Sequence, residues 1–445
     1  MIGLIPADFA WRSGDTWTVV VGALAAAACA LPGNFLVLRR LSLMGDAISH
    51  AVLPGLAAAF LISGSLGGVE MLIGAAVVGV LTAALTQWLH SVARVEESAA
   101  LGVVFSVLFA LGLVLIRQAD SIDLDPDCVL YGQIETAVLR TTEIGGWQVP
   151  EAALTLMGVL MVNVLVIALL FKELRLAAFD PALAAALGFR PLLLHYALMT
   201  LVAMTTVAAF ESVGSILVIA MLIVPAAAAR LLTDRLLPML LLSGLIAVIG
   251  AAGGHLLAIV APGWFGYPGV STSTAGMICV AVGLQFGLAL LIAPRHGLIV
   301  RSLRRANLRA RILREDILGV LYRVEESGRE ISAAVLRSLV RAAVGSGPLA
   351  TRLALAGLKR RGMVRGAEGR IRLTEPGSVA ARSVVRAHRL WEVYLSERLG
   401  LRPDHVHGTA ERLEHLAAPG IREVLAGDVG EPARDPHGTE IPRGE

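Results

Sequence analysis

Four pairs of residues in this chain have the chemistry and the spacing to hold a divalent cation. Asp46 and His50 lie four residues apart inside the stretch "LRRLSLMGDAISHAVLPG" (38–55). His388 and Glu392 repeat that spacing, and so do His407 and Glu411. Glu414 and His415 then follow Glu411 at three and four residues. On a helix, residues three or four apart share a face. Carboxylate oxygens and imidazole nitrogens thus stand side by side, a donor set suited to divalent transition metals. A solvated charged helix scatters Lys and Arg among its acids, whereas Arg412 alone interrupts the last cluster.

These groups sit in different surroundings. The chain has 445 residues, 56% apolar and 16% charged, with a mean hydropathy of +0.73. Several apolar runs approach the ~20 residues that cross a bilayer, which marks an integral membrane protein. Residues 1–300 hold 12 Lys/Arg and 17 Asp/Glu, net −5, and residues 301–445 hold the other 26 and 18, net +8. The apolar and polar parts are therefore two different objects. Asp46 and His50 belong to the first, and the remaining donors to the second. Cys29, Cys128 and Cys279 are far apart with no CxxC, which argues against a disulfide framework or a thiolate metal site. The polar start (Asp8, Arg12, Asp15) argues against a cleavable signal peptide.

Nine candidate spans are expected, at about 17–37, 48–63, 69–90, 99–117, 152–171, 192–209, 212–232, 238–260 and 275–293. The tight junction at Phe210–Ser212 also admits a re-entrant segment. One set of loops carries Arg39/Arg40, Arg94, Lys172/Arg175/Arg190, Arg230/Arg235 and Arg295 onward. The other set includes the acidic "RQADSIDLDPDCVLYGQIE". The basic set is expected in the cytoplasm, with the N-terminus outside and the C-terminal 150 or so residues inside. From Arg40 at the interface, Asp46 lies ~9 Å deeper and His50 ~15 Å deeper, near the midplane of a ~30 Å core. Ionisable residues at that depth face a bundle interior or a polar pathway. Chemistry alone leaves two readings open, an ion pathway and a buried Asp–His hydrogen bond that fixes packing. Gly45 and Pro54–Gly55 flank the pair and loosen the helix, as at transporter binding sites.

"RRLSLMGDAISHAVLPG" closely resembles the signature of the ABC-type manganese, zinc and iron uptake permeases, the ABC-3 family. "FDPALAAALGF" (179–189) and "VGSILVIAMLIVPAAAARLLT" (213–233) resemble later stretches of that family in the same order, and the resemblance covers roughly residues 15–295. It implies a permease subunit of the bacterial inner membrane that pairs with a second, identical or related permease subunit. It also implies binding to separate ATPase subunits and delivery of the ion by an extracytoplasmic metal-binding protein. Carried over by position, Asp46 and His50 line the metal path. Phe179, Asp180, Pro181, Ala185 and Gly188 belong to a short helix that docks on the ATPase. The residues fit, since Leu183, Ala186 and Leu187 recur at helical spacing between Pro181 and Gly188. The sequence has no GxxxxGK[ST] phosphate loop, so no nucleotide is expected on this chain, which is read as a transporter subunit and not an enzyme. His195 and His255, in or beside apolar runs, are expected to be hydrogen-bonded packing residues, and Glu211 near a span end admits two readings, recruitment of cations and capping of the following helix.

After Pro294 the composition changes. "RHGLIVRSLRRANLRAR" is a basic juxtamembrane stretch suited to anionic lipid headgroups. "REDILGVLYRVEESG", "ISAAVLRSLVRAAV" and "GPLATRLALAGLKRRGMV" read as helices, and "RGAEGRIRLTEPG" as a hairpin wing, which together make a winged helix-turn-helix plan. From about Arg314 onward the chain resembles the metal-dependent repressors of the diphtheria-toxin-repressor type. "EDILGVLYRVEESG", "HRLWE", "VHGTAERLEH" and the late "DPHGTEIP" carry the resemblance. By that resemblance, Asp316, Glu411, Glu414 and His415 match one metal site, and His388, Glu392 and His407 a neighbouring one. Glu411 stands where some members have Cys, which favours manganese over softer metals. Gly319 stands where manganese-sensing members carry an acid.

Residues 301–388 carry 19 basic and 7 acidic residues, an excess that suits a phosphate-contacting surface. Only Arg352, Lys359, Arg360 and Arg361 of the recognition-helix stretch could reach DNA, however, and that stretch is poor in Ser, Thr, Asn and Gln. A DNA-binding fold kept as a scaffold is the favoured reading. The expected architecture is an all-α polytopic membrane domain (1–295), a basic linker (296–312), a winged-helix-like domain (313–380) and a helical metal-binding and dimerisation domain (381–445). The expected function is ATP-driven import of manganese, or next iron or zinc, with a fused metal sensor that regulates transport. A membrane-tethered metal-dependent transcriptional regulator is the alternative, and metal export a weaker third.

Overall fold

Hydrogen-bonded helix is the favoured form for an apolar chain in a bilayer, because every backbone N–H and C=O must be satisfied within the segment. The computed structural model describes residues 11–63, 69–118, 134–267, 269–328, 332, 335, 338–339, 347–367, 370–415 and 419–443; the side chains of residues 46, 49, 63, 69, 97, 116–118, 211, 367, 419 and 422 lie outside the described set. The chain forms two compact units, Met1–Val300 and Arg301–Glu445.

The first unit runs α1 (Ser13–Leu38), α2 (Ser42–Ala51), α3 (Leu53–Ser63), α4 (Val69–Ala93), α5 (Glu97–Gln118) and the short α6 (Ile134–Ala137). An antiparallel hairpin follows, β1 (Thr141–Ile144) and β2 (Trp147–Pro150), with Thr141 opposite Pro150. Then come α7 (Glu151–Leu169), α8 (Phe171–Phe179), α9 (Pro181–Ala186), α10 (Pro191–Val213), α11 (Ser215–Leu232), α12 (Leu236–Trp264) and α13 (Thr274–Ile292). Among the described residues, eight helices are long and apolar enough to cross a membrane. The sequence suggested nine. The difference is the 48–63 segment, which is two short helices, α2 and α3, broken at Val52. Pro54 explains the break, because it has no N–H to donate back along α2 and fits the first turn of α3, where none is needed. The tight junction near Ser212 resolves into two full helices, α10 and α11, joined by Gly214 alone at φ +79°.

Helix α1 packs against α7, α10, α11 and α12. Lipid tails are as apolar as Leu, so helices in a bilayer associate through close backbone approach and polar bonds rather than hydrophobic burial. At Gly33 an added Cβ would lie 1.9 Å from the Leu222 carbonyl oxygen, so α1 and α11 touch backbone to backbone there. Asn34 Nδ2 donates to Ser243 Oγ at 2.6 Å, tying α1 to α12. Asn163 Nδ2 donates to Thr205 Oγ1 at 2.8 Å and to the Ala28 carbonyl at 3.0 Å, tying α7 to α10 and α1. Bonds of this kind are worth about 0.6–2 kcal/mol each in a membrane.

In the second unit, α14 (Leu298–Glu326) carries the basic stretch and the first metal-donor candidate, Asp316. It is followed by α15 (Pro348–Arg360), the antiparallel hairpin β3 (Val364–Ala367)–β4 (Arg370–Leu373), α16 (Glu375–Glu397), α17 (Pro403–Leu413) and α18 (Pro419–Asp428). Leu313, Ile317, Leu318 and Leu321 of α14 form one core with Ala354, Leu355, Leu358, Val364, Ile371 and Ala381. Helix, helix and hairpin thus stand as the sequence suggested. Most of the middle helix of the winged plan, 331–344, lies outside the described residues. A second core joins Leu390 and Val393 of α16 to Leu425, Ala426 and Ile441. Buried Arg389 fastens α16 to α14 through a bidentate pair with Glu326, at 3.1 and 2.6 Å. Forked pairs of this kind fix angle as well as distance.

Candidate metal centres

Helix pitch brings the C-terminal donors together. His388 and Glu392 are one turn apart on α16, and α17 lays His407 over them. His388 Nε2 lies 3.1 Å from Glu392 Oε1 and 3.1 Å from His407 Nδ1, and His407 Nδ1 lies 2.8 Å from the same Glu392 oxygen. One donor atom from each of these three residues falls within 4.8 Å of the others. The second cluster joins Asp316 of α14 to Glu414 and His415, just past α17. His415 Nε2 is 2.9 Å from Asp316 Oδ1 and 3.5 Å from Glu414 Oε1. These three also converge within 4.8 Å. Two nitrogens with one carboxylate, and one nitrogen with two carboxylates, both fit a divalent transition metal.

Glu414 belongs to both neighbourhoods. Its Oε2 meets His388 Nδ1 at 2.5 Å while Oε1 faces His415. A histidine whose Nδ1–H is held by a carboxylate presents Nε2 to a metal in a fixed orientation. Glu315 does the same for His415, with Oε2 at 2.9 Å from Nδ1, and Arg311 holds the other Glu315 oxygen at 2.7 Å. The sequence reading missed Glu315, although its place beside Asp316 was the available signal. It also missed His437, whose Nε2 lies 3.9 Å from Glu392 Oε1. Glu411 is half-buried and belongs to neither group of converging donors.

Without metal, protons hold these clusters together. Burial works against charge on His415, but hydrogen bonds to Asp316 and Glu315 and the charges of Asp316 and Glu414 outweigh it, and the imidazole is raised to about 10. Burial likewise opposes charge on His388, yet Glu392 and Glu414 raise it. Burial pushes Glu392 upward, and its bonds from His388 and His407 win, carrying it down to about 2. The carboxylates demand positive charge, and the imidazolium protons supply it where a cation would sit.

The membrane pair is built differently. Asp46 and His50 both lie on α2, with the Asp46 side chain outside the described set. His50 stands in the last turn, two residues before the break at Val52. Its half-buried ring lies 5.8 Å from Phe105 and 6.1 Å from Phe109 of α5. Discontinuous helices at membrane depth occur where backbone lines a cavity or a binding site.

The 179–188 loop forms the short helix that its pattern suggested. Asp180 caps α9, its Oδ1 accepting from Leu183 N at 2.9 Å, Pro181 opens the helix, and Gly188 at φ +87° follows it. Ala184 is buried, and Phe179 at the end of α8, Leu183 of α9 and Leu187 just past it are exposed, with Ala185 also exposed. In the second unit, Arg352, Lys359 and Arg360 of α15, and Arg361 just past it, are all exposed.

The profile of the ABC 3 transport family matches residues 16–292. The manganese transport system membrane protein MntD of Bacillus subtilis (strain 168) is 44% identical over 298 residues, 66% of this chain and 98% of that protein. The chain belongs to the ABC 3 transport family. It is a multi-pass membrane permease, and the zinc transport system membrane protein TroD of Treponema pallidum (strain Nichols) is a further relative, 37% identical over 64% of this chain and 76% of its own length. Among solved structures, PsaBC from Streptococcus pneumoniae in complex with Fab matches with a TM-score of 0.54 at 30% identity, covering 66% of this chain and 96% of that one. Residues 374–443 match the metal-binding and dimerisation domain of iron-dependent repressors. This ABC 3 permease therefore carries a fused repressor-type metal-binding domain, and its donors suit a divalent metal.

Proposed function

We propose that this chain is the permease subunit of an ATP-driven importer of divalent transition metal, manganese first and iron or zinc next, whose fused domain senses the same ion in the cytoplasm and slows transport as it accumulates. The observation that carries this reading is the joining, in one chain, of an ABC 3 permease to two donor clusters assembled from α14, α16 and α17. Names of relatives favour manganese, and the oxygen-rich Asp316–Glu414–His415 cluster agrees.

In this reading Asp46 and His50 lie on the ion path, where the break after His50 frees backbone to line it. The basic loops face the cytoplasm, so the N-terminus is outside. ATPase subunits bind at α9 and its flanks, through the exposed Phe179, Leu183 and Leu187. An extracytoplasmic binding protein hands over the ion, and a second permease subunit completes the pathway. The four segments drawn from the sequence, 1–295, 296–312, 313–380 and 381–445, serve as permease, membrane-proximal tether, scaffold and sensor.

Cell-associated manganese, iron and zinc, measured by elemental mass spectrometry in cells expressing the chain with its ATPase and binding protein, tests the proposal. One metal should rise, and Asp46→Ala and His50→Ala should each return it to background. Accumulation that ignores both substitutions would sink the transport role of the pair. Regulation is read separately. At high internal manganese, His415→Ala should keep transport fast, and transport that slows as in the unaltered protein removes the feedback step.

A further inference from the structure

At the end of the first unit opposite the basic loops, residues from four elements meet. Asp15 is the third residue of α1, 24 residues before Arg39, or ~36 Å along the helix. His255 of α12 is 20 residues beyond Arg235, or ~30 Å. Both therefore lie a hydrocarbon thickness away from the basic end. His255 is 4% exposed. Its Nδ1 lies 3.1 Å from Thr274 Oγ1 at the start of α13, and Thr274 N donates to Glu135 Oε1 of α6 at 2.8 Å. Its Nε2 is buried without a hydrogen-bond partner and faces Asp15 Oδ1 across 3.5 Å. The other Asp15 oxygen is occupied, accepting from Arg12 N at 2.7 Å.

A packing bolt between α1 and α12 would close to the 2.7–3.2 Å of an N–H···O bond, because a buried ring nitrogen left unpaired costs about 1–3 kcal/mol. The observed gap suits something else. Two ligands sharing one divalent metal, with metal–N and metal–O bonds near 2.1 Å, stand about 3.0 Å apart at octahedral and about 3.4 Å at tetrahedral angles, so the gap lies near the reach of two ligands to one ion. The half-buried Asp15 carboxylate and the exposed Glu135 carboxylate leave the site reachable from outside the bundle and negative.

We propose that His255 Nε2 and Asp15 Oδ1 form an acceptance site for a divalent transition-metal cation at the mouth of the permease, with Glu135 adding negative charge and water completing the coordination. Two protein ligands hold an ion weakly. Weak holding suits a station on a path, where binding must be favourable enough to enter and loose enough to leave. The proposal rests on the transport reading for its purpose but not for its test.

Trp11 stacks edge-on against the His255 ring with centroids 5.8 Å apart, and it is not a ligand in the site. A nitroxide is attached at Trp11→Cys, in full-length protein with Cys29→Ser, Cys128→Ser and Cys279→Ser, reconstituted in lipid nanodiscs with its ATPase. Manganese alone is titrated in, and its paramagnetism should broaden the nitroxide lines in a saturable way. His255→Ala should raise the half-saturating concentration at least about tenfold, since even losing the outer partner of a metal ligand costs 10–100-fold. Asp15→Asn, which keeps the shape of the side chain, should do the same. No broadening at millimolar manganese, or broadening unchanged by both substitutions, overturns the site. In intact cells, reduction of the nitroxide by a membrane-impermeant reductant checks the orientation independently. A nitroxide protected until the cells are opened would place the site on the cytoplasmic side and overturn the mouth assignment. Absent metal accumulation in the elemental assay would refute the transport reading while leaving this binding result standing.

Discussion

The C-terminal donors and the membrane pair use the same two side-chain types in opposite ways. In the second unit the donors touch each other, and two of the three histidines have a carboxylate behind them, Glu414 behind His388 and Glu315 behind His415. In the membrane, His50 stands among phenylalanines at the end of a broken helix. A sensor must hold its ion against a low free concentration, and orienting partners give it that grip. A pathway must let the ion go, and a ligand beside a break in its helix sits where backbone can line a path. Carboxylates that fix a ring suit the first duty, and a helix break beside the ligand suits the second.

The sharpest test of the contrast is to remove ligands from each side. Asp46→Ala or His50→Ala should cut metal accumulation by about 100-fold or more, into background, if the pair lies on the path, because the loss then falls on every ion moved. His388→Ala should leave accumulation untouched while internal metal is low. Transport assays at two internal metal levels check both halves. If His388→Ala abolishes uptake at low internal metal, the division between the units fails.

Next in size is Glu414→Gln. Because Glu414 serves both clusters, one substitution should weaken both sites by about 10–100-fold, whereas His407→Ala should weaken one. Manganese titration of full-length protein carrying Asp46→Ala, followed by calorimetry, counts the affected sites.

Acidity gives the third test. His415 is raised to about 10 in the folded, metal-free protein, so a proton occupies its ring at neutral pH and must leave when metal binds. Manganese affinity should therefore rise with pH, about tenfold per unit for each proton displaced, up to that value. For the metal-free fold the sign reverses. The contribution of charged His415 is complete below about pH 6.5 and is lost as pH rises through about 10. Glu392, depressed to about 2, contributes fully above about pH 4.5 and loses its contribution as pH falls through 2. Affinity that stays flat between pH 6 and 8 would show that the ion displaces no proton.

The smallest effects should come from Glu411 and Glu315, in an order that the sequence alone would invert. Glu411→Ala removes a donor outside both converging groups and should change affinity by less than about threefold, whereas Glu315→Gln loosens His415 and should cost about tenfold. Equal losses would mean that Glu411 swings in when metal arrives.

Periodicity made much of this legible. The i, i+4 spacing of His388 and Glu392 and the Glu414–His415 step placed donors on helix faces, and the helices then delivered them together. The Asp180–Pro181 start and the Gly188 stop marked a six-residue helix that hydropathy would have passed over. His437 was not legible, because its partner lies 45 residues away with no local period to link them, and Glu315 was legible only as a neighbour of Asp316, its partner lying 100 residues on. The break at Val52 escaped for another reason. Hydropathy averages over a window, while a helix is broken by one missing N–H, and only Pro54 carried that information. His255 was read as a packing residue because a lone histidine has no period at all. Its partners come from the starts of α1 and α13, which only the fold brings alongside.

The exposed trio of Phe179, Leu183 and Leu187 has a consequence for the cell's housekeeping. A permease made without its ATPase displays three large apolar side chains on and beside a tightly capped helix, the kind of handle that chaperones and proteases grip. If this is the face that takes the ATPase, as proposed, surplus copies would be culled by the same surface that couples the finished machine, and the ratio of subunits would need no dedicated regulator. Trimming the trio to Ser or Ala would free the orphan from that culling and uncouple it from its engine in one stroke.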